Sequence, residues 1–377
     1  MKNILGKIRA KLGARVLKFM GLGLAIVILI ILSFNIFKGD LATQPGKEKV
    51  NVLTMVDQIE NLEGTKFGMY KDYLYKWQDK RLYLRSLTEE GLSYNIALNI
   101  DDPIIETGDR YILVGNPAEG IIYYLDDKAE MVERMPLNNS LYSFKSINDH
   151  VIYHTKTGDL EYVGIIDSDM NNLMKYGYEG ETVISYDYYP AKERVAVASF
   201  NVDEKSIGTR LDLYNKLRDK DSLYFDGEII VKLDYINVGN LLVLTDKSLY
   251  YISENEIVWK KDFPLIRDMK VEGSDIYVLN GNHLTSLDTK GEEVEDIALE
   301  DQYSHIELAG SSIFGREIIL YSDTGLVVLK KGQEFLRHSQ EINQLDTNEG
   351  MIFILDSKKY SFNKKDVKEI EIEEEED

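Results

Sequence analysis

The feature that most constrains this chain is a short apolar strand that keeps returning. Tyr73-Leu74-Tyr75, Tyr111-Ile112-Leu113-Val114, Val151-Ile152-Tyr153, Val195-Ala196-Val197-Ala198, Leu241-Leu242-Val243-Leu244, Ile276-Tyr277-Val278-Leu279, Ile318-Ile319-Leu320-Tyr321 and Met351-Ile352-Phe353-Ile354-Leu355 begin 33 to 46 residues apart. Each run is apolar at successive positions, so a strand made from it must be buried on both faces. A second run starts downstream of each, at Leu82, Ile121, Leu160, Leu211, Leu249, Leu284, Leu326 and Tyr360. In seven of the eight the offset is eight to ten residues, which suits a tight hairpin. A more polar strand often follows a Gly or Asn turn, as at Glu256-Ile257-Val258-Trp259 or Glu292-Glu293-Val294. A further strand precedes each pair, as over Asp268 to Glu272.

Four short strands in a unit of about 40 residues is the period of a propeller blade. A helical solenoid of that period needs amphipathic helices, which the chain lacks, and a β-sandwich does not repeat so evenly. The fold class is therefore all-β, a β-propeller over residues 50–372. The eight units predict eight blades, with seven as the alternative if the end units share a blade. A propeller must close to remove its open edges. Val50 to Ile59 (VNVLTMVDQI) and Val367 to Ile372 (VKEIEI) are the segments expected to pair there.

Some units carry a more specific pattern. Ser286-Leu287-Asp288-Thr289-Lys290-Gly291-Glu292-Glu293-Val294 and Leu249 to Trp259 (LYYISENEIVW) run strand, Leu-Asp or its equivalent, turn, strand, and the second ends on Trp. Gly325 to Leu336 (GLVVLKKGQEFL) matches in part. These units resemble the quinoprotein-type repeat, PQQ-like and WD-like. Of the two tryptophans, Trp259 sits at the matching place and Trp77 does not. The whole arrangement also resembles uncharacterised membrane-anchored propeller proteins of Gram-positive bacteria. The resemblance implies a fold and a location at the cell envelope; it implies no activity.

Ahead of the repeats, Phe19 to Phe37 is 19 residues without a charge. At 1.5 Å per residue this spans about 28 Å, close to the hydrocarbon thickness of a bilayer. Six basic residues precede it (Lys2, Lys7, Arg9, Lys11, Arg15, Lys18) and no acid does. The positive-inside bias then places residues 1–18 in the cytoplasm, 19–37 across the membrane and the propeller outside. The competing reading is a signal peptide cleaved near Leu41-Ala42-Thr43, but its apolar core is usually shorter. Residues 38–49 (KGDLATQPGKEK) read as a polar linker, and 373–377 as an acidic, solvated tail.

Charge and composition narrow the chemistry. Residues 1–38 hold seven basic residues; the rest of the chain holds 37 (44 less those seven) against 65 acids. Such a domain repels nucleic acid and anionic surfaces. With no cysteine there are no disulfides, thiolate metal sites or cysteine nucleophiles. Quinone-dependent dehydrogenases need a stacking Trp and calcium ligands, which this chain supplies poorly. No HExxH, GxSxG, Walker loop or dinucleotide fingerprint occurs. His150 and His154 lie on one strand face about 13 Å apart, too far to share a zinc. Asp167, Asp169 and Asn171 alternate as at the start of a calcium loop, yet Asn172 stands where Gly is usual and Tyr178 where Glu is, so an Asp/Asn turn is the plainer reading. The fourth unit departs from the pattern: its hairpin offset is 16, and Asn201 to Arg210 should protrude as a loop that could carry binding.

These observations predict a non-enzymatic, extracytoplasmic interaction scaffold or accessory subunit tethered to the cell membrane, with a protein partner in the envelope and no cofactor. The alternative is a propeller that binds a small ligand or glycan, and behind it a propeller hydrolase or lyase.

Overall fold

The computed structural model describes residues 47–60, 65–200, 208–217, 219–236, 239–309, 317–348 and 351–371. The expected cytoplasmic segment, membrane span and acidic tail lie outside them. Among the described residues no helix is long and apolar enough to cross a membrane.

The strands form eight four-stranded sheets. Seven are built from consecutive strands and occupy residues 66–97, 104–136, 140–179, 182–226, 230–262, 266–298 and 305–338; these are blades 1 to 7. Blade 8 takes its inner three strands from 344–371 and its outer strand, Lys47–Glu60, from the start of the described chain. Because 66–97 is complete by itself and lends nothing to blade 8, the ring has eight blades rather than seven. The two segments expected to close the ring are those that pair, as the long strands Lys47–Glu60 and Lys359–Glu371. The first of these begins at Lys47, so its polar start, read as linker from sequence, is strand.

Residues Val52–Asp366 make one compact unit, which holds blades 1 to 7 and most of blade 8. Met1–Asn51 and Val367–Asp377 make a second, of which 47–51 and 367–371 are described, as the outer ends of those two long strands.

Every recurrent apolar run is the second strand of its blade. Ile112–Asn116 is buried throughout, and in Arg194–Phe200 the five central residues are buried. Several hairpins turn through paired left-handed residues, Asp79-Lys80, Asn148-Asp149 and Glu254-Asn255. That geometry matches the twist of the flanking strands and selects Asn, Asp and their neighbours in sequence.

The core is divided rather than central. Eight apolar clusters occur among the described residues, one at each junction between neighbouring blades. Blades 4 and 5, for example, meet through Ala196, Leu211, Phe225, Leu233, Val243 and Tyr250. The closing junction, blade 8 against blade 1, joins Phe353 and Phe362 to Phe67, Met69 and Leu74. Burying one such large side chain contributes about 1.5–3 kcal/mol. Stability is thus spread around the ring, and no blade can leave without opening two clusters.

Candidate functional site

The first strand of each blade is the innermost, and the first strands of successive blades adjoin. Such a strand is hydrogen-bonded on one side only, so its other edge presents bare N–H and C=O groups to the channel. Charged side chains satisfy them. Lys66 Nζ donates to Pro103 O at 2.6 Å, Lys145 Nζ to Tyr186 O at 3.0 Å and Lys232 Nζ to Met269 O at 2.6 Å. Carboxylates do the converse: Asp187 accepts from Tyr235 N at 2.6 Å, Asp268 from Ile306 N at 2.9 Å and Asp346 from Met69 N at 3.2 Å. In every case the partner belongs to the next blade. Six of the eight junctions are bonded this way, the closing one included.

The channel wall therefore alternates in sign, and burial dominates its electrostatics. Burial pushes Asp187 up to about 6, against the pull of Tyr235 N–H and Lys145. Asp234 is raised by burial and held back by Lys232, Lys145 and Lys270. Asp346 and Glu106 are likewise raised by burial, while burial lowers Lys232. Lys270 bonds Glu307 of the next blade at 2.9 Å.

A second set of polar contacts lies at the end of the blades where each first strand begins. The second residue of a third strand reaches the next blade: Glu161 accepts from Val183 N at 2.8 Å, and Thr209 Oγ1 from Ile230 N at 3.1 Å. Glu161, almost fully buried, also binds Lys156 Nζ at 3.0 Å and faces His154 Nε2 at 2.9 Å. Burial alone would raise this carboxyl, but the Val183 N–H and Lys156 hold it below the usual range. Burial lowers His154 despite Glu161. In blade 4, Arg210 clasps the fully buried Asp212 with two bonds, at 3.1 and 3.0 Å, and binds Glu181 at 2.6 Å. In blade 5, Glu228 accepts from Thr245 Oγ1 at 2.6 Å, Tyr250 Oη at 2.7 Å and Lys260 Nζ at 3.0 Å. Three consecutive blades thus each neutralise a carboxylate at this face.

At the same end, the first strands of blades 3 to 6 each carry a bulge, between Leu141 and Ser143, Val183 and Ser185, Ile230 and Lys232, and Ile266 and Asp268. The described first strands of blades 1, 2, 7 and 8 pair without one.

A family model matches residues 46–372, that of a family of unknown function (DUF5711). The chain belongs to this family. No curated protein matches the sequence. Among solved structures the chain is similar to the C-terminal WD40 domain of Sif2, at 9% identity and a TM-score of 0.59, over 84% of this chain and 99% of that one. It is similar to Sqt1 of Saccharomyces cerevisiae at 9% identity and 0.57, over 84% and 98%. BamB from Moraxella catarrhalis matches at 11% identity and 0.54, over 83% and 99%. At these identities the likeness is one of fold: a β-propeller of the PQQ-like and WD40 type.

In this DUF5711 chain the calcium candidates fall in a repeated turn. Asp167 Oδ1 accepts from Asp169 N at 2.9 Å and Asn171 N at 2.8 Å, and Asn171 Nδ2 returns to Asp167 at 3.3 Å. The same five-residue turn joins the third and fourth strands at Asp126, Asn215 and Asp288. Asp167 is thus one copy of a structural device. Among the described residues no cluster of three metal-ligating side chains occurs.

The structure does not bring His150 and His154 together: His154 turns to Glu161, and the His150 ring lies 5.7 Å from Tyr188. Trp259 reaches the next blade. Its Nε1 donates to Thr289 O of the next blade at 3.0 Å, and its ring lies against Gly291, where a Cβ would come within 2.9 Å. Trp77 is a buried core residue between blades 1 and 2. Of the segment 201–210 expected to protrude as a loop, residues 201–207 lie outside the described residues, and 208–210 are not loop but the start of a strand that carries Thr209 and Arg210.

Sequence reasoning missed the charged residues of the first strands. A signal was present: Lys232-Leu233-Asp234 and Asp268-Met269-Lys270 set a buried apolar residue between two charges, each just upstream of an apolar second strand.

Proposed function

We propose that this chain is a non-enzymatic, extracytoplasmic interaction scaffold or accessory subunit, held at the cell membrane by residues 19–37. One observation carries the reading. Six charged side chains at the channel are bonded to the backbone of the next blade, so the chemistry of those six is spent on holding the ring together. What remains available is the pair of broad, loop-built faces that a propeller offers to a protein partner. The likeness in fold to BamB and to WD40 domains supports such a role without specifying a partner. The uncharged run at 19–37 and its basic flank support the anchor and its orientation.

The test is affinity purification of the full-length protein from its native membrane in mild detergent, with quantitative mass spectrometry. A stoichiometric envelope protein is the expected result. A monodisperse monomer with nothing bound overturns the scaffold. Alkaline carbonate extraction tests the anchor; release of a mature protein starting near residue 43 overturns it.

A second reading, a small polar ligand or glycan in the channel, is favoured by Glu106 and Asp234. Both are raised by burial, and neither joins the inter-blade bonds described above. A ligand screen by thermal shift, with a hit abolished by Glu106→Gln or Asp234→Asn, would put this reading first.

A further inference from the structure

The bulges of blades 3 to 6 decide what one rim of the channel presents. A bulge adds a residue that the ladder cannot pair and re-aims its side chain. In three consecutive blades that residue is apolar and exposed: Tyr142 at 57%, Ile184 at 38% and Val231 at 52%. In blade 6 it is Arg267, also exposed, with exposed Leu265 beside it. Leaving three such side chains in water on neighbouring blades is unfavourable.

Their surroundings are equally particular. The Tyr142 ring lies 5.4 Å from His154 and 6.0 Å from Lys156, beside Glu161. Glu181 directly precedes the first strand of blade 4, and Glu228 lies two residues before that of blade 5. All three acids are occupied by Lys156, Arg210 and Lys260. A chain with net charge −21 thus has an arc where three carboxylates are matched by internal cations beside an exposed apolar centre. An apolar centre that includes an aromatic residue is the composition of an interface core. Val294, an exposed apolar residue on an outer strand, sits instead between two acids, Glu293 and Glu295.

We propose that this arc docks a segment of a partner protein that lays apolar side chains on Tyr142, Ile184 and Val231 and offers a carboxylate to Arg267. The carboxylate follows from charge complementarity: Arg267 ends the arc, is exposed, and makes no ion pair among the described residues. The inference rests on the scaffold reading above and deepens it by naming the face and the chemistry of the partner.

The probe is a displayed random-peptide library panned against the full-length protein in mild detergent. The selected peptides should combine apolar residues with Asp or Glu. Ile184→Glu or Val231→Glu should weaken the best of them at least about tenfold. Arg267→Glu should weaken it less, and a Lys in place of the peptide's acid should restore binding to that variant. Val294→Glu, on the outer strand of blade 6, should change nothing. All four positions are exposed, so thermal midpoints of the variants should match wild type. No enrichment, or peptides indifferent to positions 184 and 231, overturns the proposal. So does a wild-type dimer that Ile184→Glu converts to monomer, which would make the arc a contact between copies. The same variants separate the two readings. A partner that still copurifies with Ile184→Glu leaves the scaffold standing and removes this face. A peptide that needs the arc, with no partner copurifying from wild type, keeps the face and removes the scaffold.

Discussion

Blades 3 to 6 and blades 7, 8, 1 and 2 are built on one plan and differ at the channel rim. The first strands of blades 3 to 6 have eight, eight, seven and seven residues. Those of blades 1, 2, 7 and 8 have five, four, five and five. The longer strands are the bulged ones. In blades 3 to 5 they carry apolar residues out to the face beside carboxylates matched with internal cations, and in blade 6 the strand carries Arg267. The short strands start on polar or half-buried residues, Lys66, Ile104, His305 and Gln344. Both halves share the bonds that satisfy the inner edge, including Asp268 to Ile306 and Asp346 to Met69. The bonds to the inner edge are thus a requirement of the fold, whereas the bulged rim is an addition that the fold does not need. Additions of that kind are where function is sought.

Substitutions can break this comparison, beginning with the buried ion pair of blade 4. Arg210→Ala leaves the fully buried Asp212 carboxylate with only Ser222 and the more distant Lys220, 3.7 Å away, and chemical denaturation should show a loss of about 3 kcal/mol. An unchanged midpoint would mean that the neutralised rim is not part of the fold's stability.

Asp187 gives an effect of opposite sign. Its folded-state carboxyl is raised from 3.8 to about 6, so folding takes up a proton and the group costs stability above pH 6, a cost that fades as pH falls toward 4. Asp187→Asn keeps an acceptor for Tyr235 N–H without the charge. It should stabilise the ring at pH 7.5 by up to about 3 kcal/mol, with the gain gone near pH 4. A gain independent of pH would assign the effect to packing instead.

Asp346→Ala and Asp268→Ala each remove the acceptor of two backbone N–H groups, one of them in the next blade, and each should lose about 1–3 kcal/mol. Similar losses in an unbulged and a bulged blade would confirm that the inner-edge bonds serve both halves alike; a loss in one alone would break the parallel. The smallest effect belongs to the rim itself. Val231→Ser and Ile184→Ser should alter stability by no more than about 0.5 kcal/mol, because exposed side chains lose little on substitution. A large loss would make the arc structural and leave the rim without a separate role.

How far the sequence could be read follows from how local each signal is. The second strands were legible because burial on both faces leaves an unbroken apolar run, as in Leu241 to Leu244. The hairpin spacing and closure by the two ends were legible for the same reason. The charged first strands were not. Lys232 and Asp234 alternate with apolar residues as in an ordinary half-exposed strand, and nothing local says that the exposed side faces a channel. Asp167 reads from sequence as an Asp/Asn turn, with a cation as the lesser reading, and the matching bonds at Asp126, Asn215 and Asp288 show that the turn is a shared backbone cap.

The sequence by itself determined an all-β chain of repeating four-stranded units, because periodicity and turn chemistry act over a few residues. The eight units also predicted eight blades; tertiary structure decided against seven, and it alone decided that channel charges bond the next blade some 37 to 48 residues away, or 277 at the closure, and that four neighbouring blades bulge toward one rim. Those outcomes depend on which edges are left bare once the ring has closed, and a bare edge exists only in three dimensions.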